Sequence, residues 1–180
     1  MLNIARYIIA EIGDSDFDPN FVPPASLNNY GVRKAARGIL INKDKIAVLF
    51  VSNENYHKLP GGGIEANETN EQAFIREVKE ETGCDCKIID EDNQNSVVIE
   101  LRAQFKLLQI SYIFFSEIVG EPGELKLEQD EIDEGFELKW VPVNDVVSLL
   151  EGDKPESYEG NFIRKRDLAV LNFFKDKLSD

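Results

Sequence analysis

From Leu59 to Cys84 the chain reads LPGGGIEANETNEQAFIREVKEETGC, in which Gly61, Gly62 and Gly63 lead within a few residues into a strongly patterned helical stretch. The pattern predicts a helix over residues 68–82, closed by Gly83, because glycine accepts the left-handed conformation that ends many helices. On that helix Glu77, Glu80 and Glu81 fall within an arc of about 100°, since positions i, i+3 and i+4 share a face. Phe74, Ile75 and Val78 form a neighbouring arc suited to burial, while Gln72 and Lys79 form a third that faces water. A fold for this chain must therefore bury one side of the helix and present three carboxylates on another, next to a glycine loop. A solvated acidic face is the commoner use of such a helix. Like charges this close nevertheless destabilise it unless something neutralises them, and oxygen ligands at this spacing suit Mg²⁺ or Mn²⁺.

Around this segment the chain alternates extended and helical patterns. Residues 32–40 and 45–51 are aliphatic runs flanking Asn42-Lys43-Asp44, which predicts a hairpin. Further strands are expected at 86–89, 97–105, 107–119 and 136–141, where valine, isoleucine and aromatics dominate. A second helix is expected from Asn144 as N-cap, carrying Val146, Val147, Leu149 and Leu150. A third, over residues 161–178, places Ile163, Val170, Leu171, Phe174 and Leu178 on one stripe, to be packed on the sheet or, alternatively, used in a homodimer contact. Pro19, Pro23 and Pro24 break regular structure early, so residues 1–30 read as a strand and a wrapping loop. At 180 residues one domain spanning 1–180 is expected, an α/β fold with a mixed sheet covered on both faces.

The net charge of −14 disfavours nucleic acid polymers and anionic membranes as partners, yet leaves small phosphorylated molecules open, because bound cations reverse the field locally. Cys84 and Cys86 point to opposite sides of a strand, which makes a disulfide between them awkward. With His57 the single histidine, no four-ligand zinc cage can be built within one chain. Reduced cysteines and an opening apolar run too short for a signal peptide or membrane span lead to a cytoplasmic location as the expectation.

The segment resembles the Nudix box of the MutT-like Nudix hydrolases, position by position: Gly62, Glu68, Arg76, Glu77, Val78, Glu80, Glu81, Gly83 and Cys84. The seven positions of fixed residue type are all filled, which a given window does by chance on the order of once in 10⁸. Cys84 stands where the pattern prefers an aliphatic residue, and a buried free cysteine behaves as a small hydrophobe. The strand pair before the box and the Trp140-Val141-Pro142 element after it follow the family's order too. The resemblance implies a Nudix-type α/β/α sandwich with a central mixed β-sheet. It also implies hydrolysis of the diphosphate bridge in a nucleoside diphosphate linked to another moiety. Glu77, Glu80, Glu81 and the Gly62 carbonyl become ligands of Mg²⁺ (or Mn²⁺), with Glu68 and Arg76 as a pair that orients the carboxylates.

In this family the general base moves between the box and a later loop. Here that loop is residues 127–135, and Glu128, Glu131 and Glu134 are its candidates, each weighed against a purely solvated role. Tyr56, His57 and Lys58, just before the glycines, and Arg33 and Arg37, on one face of an early strand, are candidates for substrate contact. Two other readings use the same fold: a nucleotide-sensing or regulatory module without turnover, which has no need of three metal-binding carboxylates, and a prenyl diphosphate isomerase, which would need a further acid–base pair.

Overall fold

The computed structural model describes residues 7–89 and 96–179; residues 1–6, the beginning of the expected N-terminal strand, lie outside the described part. In chain order the elements are β1 (Ile8–Gly13), β2 (Gly31–Asn42), β3 (Lys45–Val51), β4 (Tyr56–Lys58), β5 (Gly61–Gly63), α1 (Asn70–Thr82) and β6 (Asp85–Ile88). They continue with β7 (Ser96–Arg102), β8 (Leu107–Val119), α2 (Gln129–Asp133), β9 (Phe136–Pro142), α3 (Val146–Gly152), α4 (Tyr158–Phe173) and α5 (Lys175–Ser179). All the strands belong to one mixed sheet. Its spine is the parallel pair β2–β8, in unbroken register from Gly31↔Leu107 to Ile41↔Glu117. β7 pairs antiparallel with β8 and β1 parallel with β7. β3 follows β2 through the expected tight turn, with Lys43 in the left-handed region, and carries β4 and β9 antiparallel.

Alternation along the strands feeds two apolar layers. Ile39, Ile46, Val48, Val98, Ile113 and Phe115 pack with Val146 and Leu150 of α3 and with Phe162, Val170 and Leu171 of α4. Ala36, Leu40, Ala47 and Phe114 pack with Ala73, Phe74 and Val78 of α1, and with the fully buried, free Cys84. Neighbouring residues of β2 and β8 thus serve opposite layers, which explains why these strands read as continuous apolar runs rather than as alternating ones. The result is an α/β/α sandwich. Among the described residues no helix is long and apolar enough to cross a membrane.

Several boundaries differ from the sequence reading, each for a local reason. α1 begins at Asn70 rather than residue 68, because Thr69 caps it reciprocally with Gln72. The strand expected over 97–105 ends at Arg102, where residues 103–105 turn and Lys106 adopts φ 48°. α3 starts after Asp145, not at an Asn144 cap. The helix expected over 161–178 starts at Tyr158, capped by Ser157, and is interrupted at Phe174. The acidic loop of residues 127–135 contains a helical turn, α2, in which the Glu131 carboxylate accepts from the Glu128 N–H.

Candidate active site

The site is assembled around the glycine strand β5, which pairs with β2. Gly61 takes φ +132°, and a Cβ there would meet the Ala36 carbonyl oxygen at 2.3 Å, so no other residue fits without backbone movement. A Cβ on Gly62 would lie 2.6 Å from both oxygens of Glu77. Gly61 thereby lets β5 lie against β2, and Gly62 lets the Glu77 carboxylate of α1 sit against β5. The Gly61 N–H donates to Glu81 Oε2 at 2.6 Å, and Lys58 Nζ lies 3.4 Å from Glu81 Oε1.

Arg76 is the organiser of the box. Its guanidinium takes both oxygens of Glu68 at 2.8 and 3.2 Å, donates to the Gly63 carbonyl at 2.9 Å, and reaches Glu77 at 2.9 Å and Glu80 at 3.0 Å. The Glu68 contact and its companions raise the Arg76 pKa, so its charge is fixed. Glu68 can play this part because α1 begins two residues later, leaving it in the connecting turn.

Glu77, Glu81 and Glu131 place one carboxylate oxygen each within 4.8 Å of one another. Burial raises the pKa of Glu77, and it pushes Glu81 up to about 8 against the opposing pull of Lys58 and the Gly61 N–H. The Oε1 atom of Glu81 is buried and, among the described residues, has no hydrogen-bond partner beyond the ionic contact with Lys58 at 3.4 Å. Three converging carboxylates, two of them hard to ionise and one with an oxygen lacking a hydrogen bond, are chemically suited to a hard divalent cation.

These groups line one wall of a cleft of about 300 Å³. Of the residues singled out in the sequence, Gly62, Glu77, Glu128, Glu131 and Glu134 line it, as do Arg33, Arg37, Tyr56 and Lys58. Glu81 reaches its edge through Gly61 and Lys58. Glu68 and Arg76, the supporting pair, do not line it, nor do two further residues. Glu80 is bonded to Arg76 and lies outside the three-carboxylate cluster. His57 turns away from the cleft: its backbone N–H and Nδ1 contact Asp153, and its ring packs on Phe50. Strand alternation accounts for this, since β4 sends Tyr56 and Lys58 to one side and His57 to the other. Burial also raises the Glu134 pKa, in keeping with its place in the cleft wall.

The sequence reading missed Arg102, Gln109, Glu159 and Arg166, all of which line the cleft. A signal existed: Glu100 and Arg102 lie two apart, on the same face of the strand as Val98, and buried charges are rarely placed without a partner or a role.

The fold and the box define a class. The Nudix domain family matches residues 32–161, and the chain belongs to that family. It is 35% identical over 112 residues to the Caenorhabditis elegans protein named "Putative nudix hydrolase 1", covering 62% of this chain and 26% of that protein. It is 33% identical over 117 residues to the ADP-ribose pyrophosphatase of Methanocaldococcus jannaschii, covering 57% of this chain and 61% of that one. The match thus spans less than two thirds of either relative. Among solved structures, a Nudix hydrolase from Nitrosomonas europaea superposes with a TM-score of 0.60 at 15% identity, covering 82% of this chain and 91% of that chain. The C. elegans Ap4A hydrolase superposes with a TM-score of 0.53 at 19% identity, covering 82% and 99%. At such identities these two likenesses speak for the fold alone.

Proposed function

We propose that this chain is a divalent-metal-dependent pyrophosphohydrolase that cleaves the diphosphate bridge of a small nucleoside diphosphate derivative in the cytoplasm, with residues 1–180 acting as one domain. The observation that carries the reading is the meeting of Glu77, Glu81 and Glu131 within 4.8 Å beside the glycine strand. Glu77, Glu81, Glu131 and the Gly62 carbonyl would hold Mg²⁺ or Mn²⁺. The ion would offset diphosphate charge and make water acidic enough to attack at neutral pH.

The chain's own residues do the remaining work. Arg76, fixed by Glu68 and the Gly63 carbonyl, orients Glu77, and the Gly61 N–H orients Glu81. Glu80 serves this arrangement by holding Arg76 from the next turn of the helix. Arg33 and Arg37 line the cleft, where they would meet anionic oxygens of the substrate, and Lys58 stands between Glu81 and the Phe136 ring. The acidic turn supplies the base candidates: Glu131 faces the helix carboxylates, with Glu128 and Glu134 beside it. Gly135, with φ +73°, is the point about which the turn would move on substrate binding.

The test is a panel of oxidised nucleoside triphosphates, nucleotide sugars, dinucleoside polyphosphates and dinucleotide cofactors, assayed for phosphate and monophosphate release with Mg²⁺ and with excess EDTA. Release that requires the cation supports the reading. Binding of panel members with no turnover in Mg²⁺ or Mn²⁺ would replace it with the sensing-module reading.

A further inference from the structure

On the sheet face covered by α4, apolar packing stops at Ile39, Val98 and Ile113. Beyond that line the same strands carry Arg37, Arg33, Gln109, Glu100 and Arg102. Arg33, Gln109 and Glu100 are direct neighbours across β2, β8 and β7. Arg33 donates to Gln109 Oε1 and Gln109 Nε2 donates to Glu100, both at 2.8 Å. The other Glu100 oxygen accepts from Arg102 at 2.8 Å, and Arg166 lies 3.7 Å from Glu100. Arg102 reaches Glu159 at 2.6 Å, and Arg166 is paired with Asp167 at 2.7 Å. The three carboxylates thus serve two of the four guanidinium groups, Arg102 and Arg166, and one of them, Glu159, is half exposed.

Arg33, which is exposed, is held by Gln109 without a carboxylate, and Arg37 is the buried cation left over. It is 4% exposed, no carboxylate lies within 4 Å of it among the described residues, and its one bond is a long 3.5 Å contact to the Gly61 carbonyl. Its Nε and that of Arg102 are buried with no acceptor. Burial, with nearby Arg166 adding to it, lowers the Arg37 pKa to about 9, which still leaves the group charged at neutral pH. A buried charge without a counterion destabilises the protein that carries it, whereas a charge placed to receive an anion recovers that cost on binding. The cleft offers little to a flat ring. Of its two aromatic side chains, Tyr56 is 3% exposed, and Phe136 is faced by Lys58 Nζ at 4.1 Å.

We propose that Arg37, with Arg33 and Arg102, forms a second oxyanion subsite that receives a phosphate or carboxylate group of the substrate other than the diphosphate bridge. Preferred substrates then carry a further anionic group on one of the two moieties the bridge joins. This rests on the hydrolase reading only in assigning the bridge to the carboxylate end of the cleft.

The first measurement needs no turnover. The full chain in excess EDTA is titrated with inorganic phosphate by calorimetry, and its thermal midpoint is read in parallel. The wild type is expected to bind phosphate saturably. Arg37→Met is expected to weaken that binding at least tenfold with the midpoint unchanged or raised, since no ion pair is lost. The second measurement compares kcat/KM with Mg²⁺ for UDP-glucuronate against UDP-glucose, which tests a carboxylate, and for ADP-ribose 2′-phosphate against ADP-ribose, which tests a phosphate. At least one anionic member is expected to be favoured about tenfold, with the preference lost in Arg37→Met. A wild type with no saturable phosphate binding overturns the proposal, as does an Arg37→Met protein that binds phosphate normally but melts several degrees lower. If none of the four compounds is hydrolysed, the wider panel with Mg²⁺ decides the hydrolase reading while the phosphate titration still decides the subsite.

Discussion

At the acidic end of the cleft, Glu77 and Glu81 come from successive turns of α1, and Glu131 from a single helical turn that closes against them. At the basic end, Arg33, Arg37, Arg102, Gln109 and Arg166 come from β2, β7, β8 and α4, at positions up to 133 apart in the chain (166 − 33). The acidic end gathers like charges that relax only when a cation arrives. The basic end arrives partly paired: Arg102 and Arg166 have carboxylates, Arg33 has Gln109, and Arg37 is buried without a counterion. The difference is physical as much as topological. A helix face fixes carboxylate spacing by its own periodicity and can hold mutual repulsion on a rigid backbone, whereas a network spread over three strands and a helix must satisfy its charges internally for those elements to pack.

The largest effect should come from the acidic end. Glu77→Gln and Glu81→Gln are expected to lower kcat by about 10²–10⁴-fold at saturating Mg²⁺ with the far-UV circular dichroism retained, because ligand charge is lost while shape is kept. Glu80→Gln, whose carboxylate is engaged with Arg76, should cost clearly less. Equal losses at all three positions would break the distinction drawn here between holding a cation and holding Arg76.

The acidic turn comes next. Glu131→Gln is expected to reduce kcat about 10²-fold, and Glu128→Gln and Glu134→Gln less, with KM little changed in each. Three fully active variants would return the base to α1, with Glu77 as the candidate.

A smaller effect, about 10–100-fold in kcat/KM, is expected for Gly62→Ala, because the added Cβ must push the Glu77 carboxylate aside by tenths of an ångström or more. An unchanged value would mean that Glu77 need not sit against β5.

The smallest effect sharpens the comparison without catalysis. Glu81 has a folded-state pKa near 8, above the ordinary carboxylate value of 4.5, so the folded metal-free protein keeps a proton that the unfolded chain has lost. Its contribution to stability therefore falls as pH rises from about 4.5 to 8. In EDTA, Glu81→Gln should melt about 2–8 °C above wild type at pH 8, and the gap should close by pH 5. A constant gap across that range would show that Glu81 is not the titrating group.

The acidic end was legible because its logic is local. The glycines, the i, i+3, i+4 carboxylates, the Gly83 stop and the Glu68–Arg76 spacing all lie within 26 residues, and helix geometry converts that order directly into three-dimensional order. The β2–β3 hairpin and both apolar layers were likewise written as runs and turns. The same local reasoning failed where two residue types compete for one role. Thr69 outcompeted Glu68 as the start of α1, and alternation on β4 separated His57 from Tyr56 and Lys58.

By itself, then, the sequence determined the Nudix family, the carboxylate-bearing helix and the glycine segment that precedes it, which the structure turns from a loop into the strand β5. Only the tertiary structure decided that Glu131 rather than Glu80 completes the carboxylate cluster, that His57 leaves the cleft for Asp153, and that Arg37 is buried without a counterion. Those outcomes depend on which strands become neighbours and where α4 lies over them. Such contacts join residues far apart in the chain, and no periodicity along it encodes them.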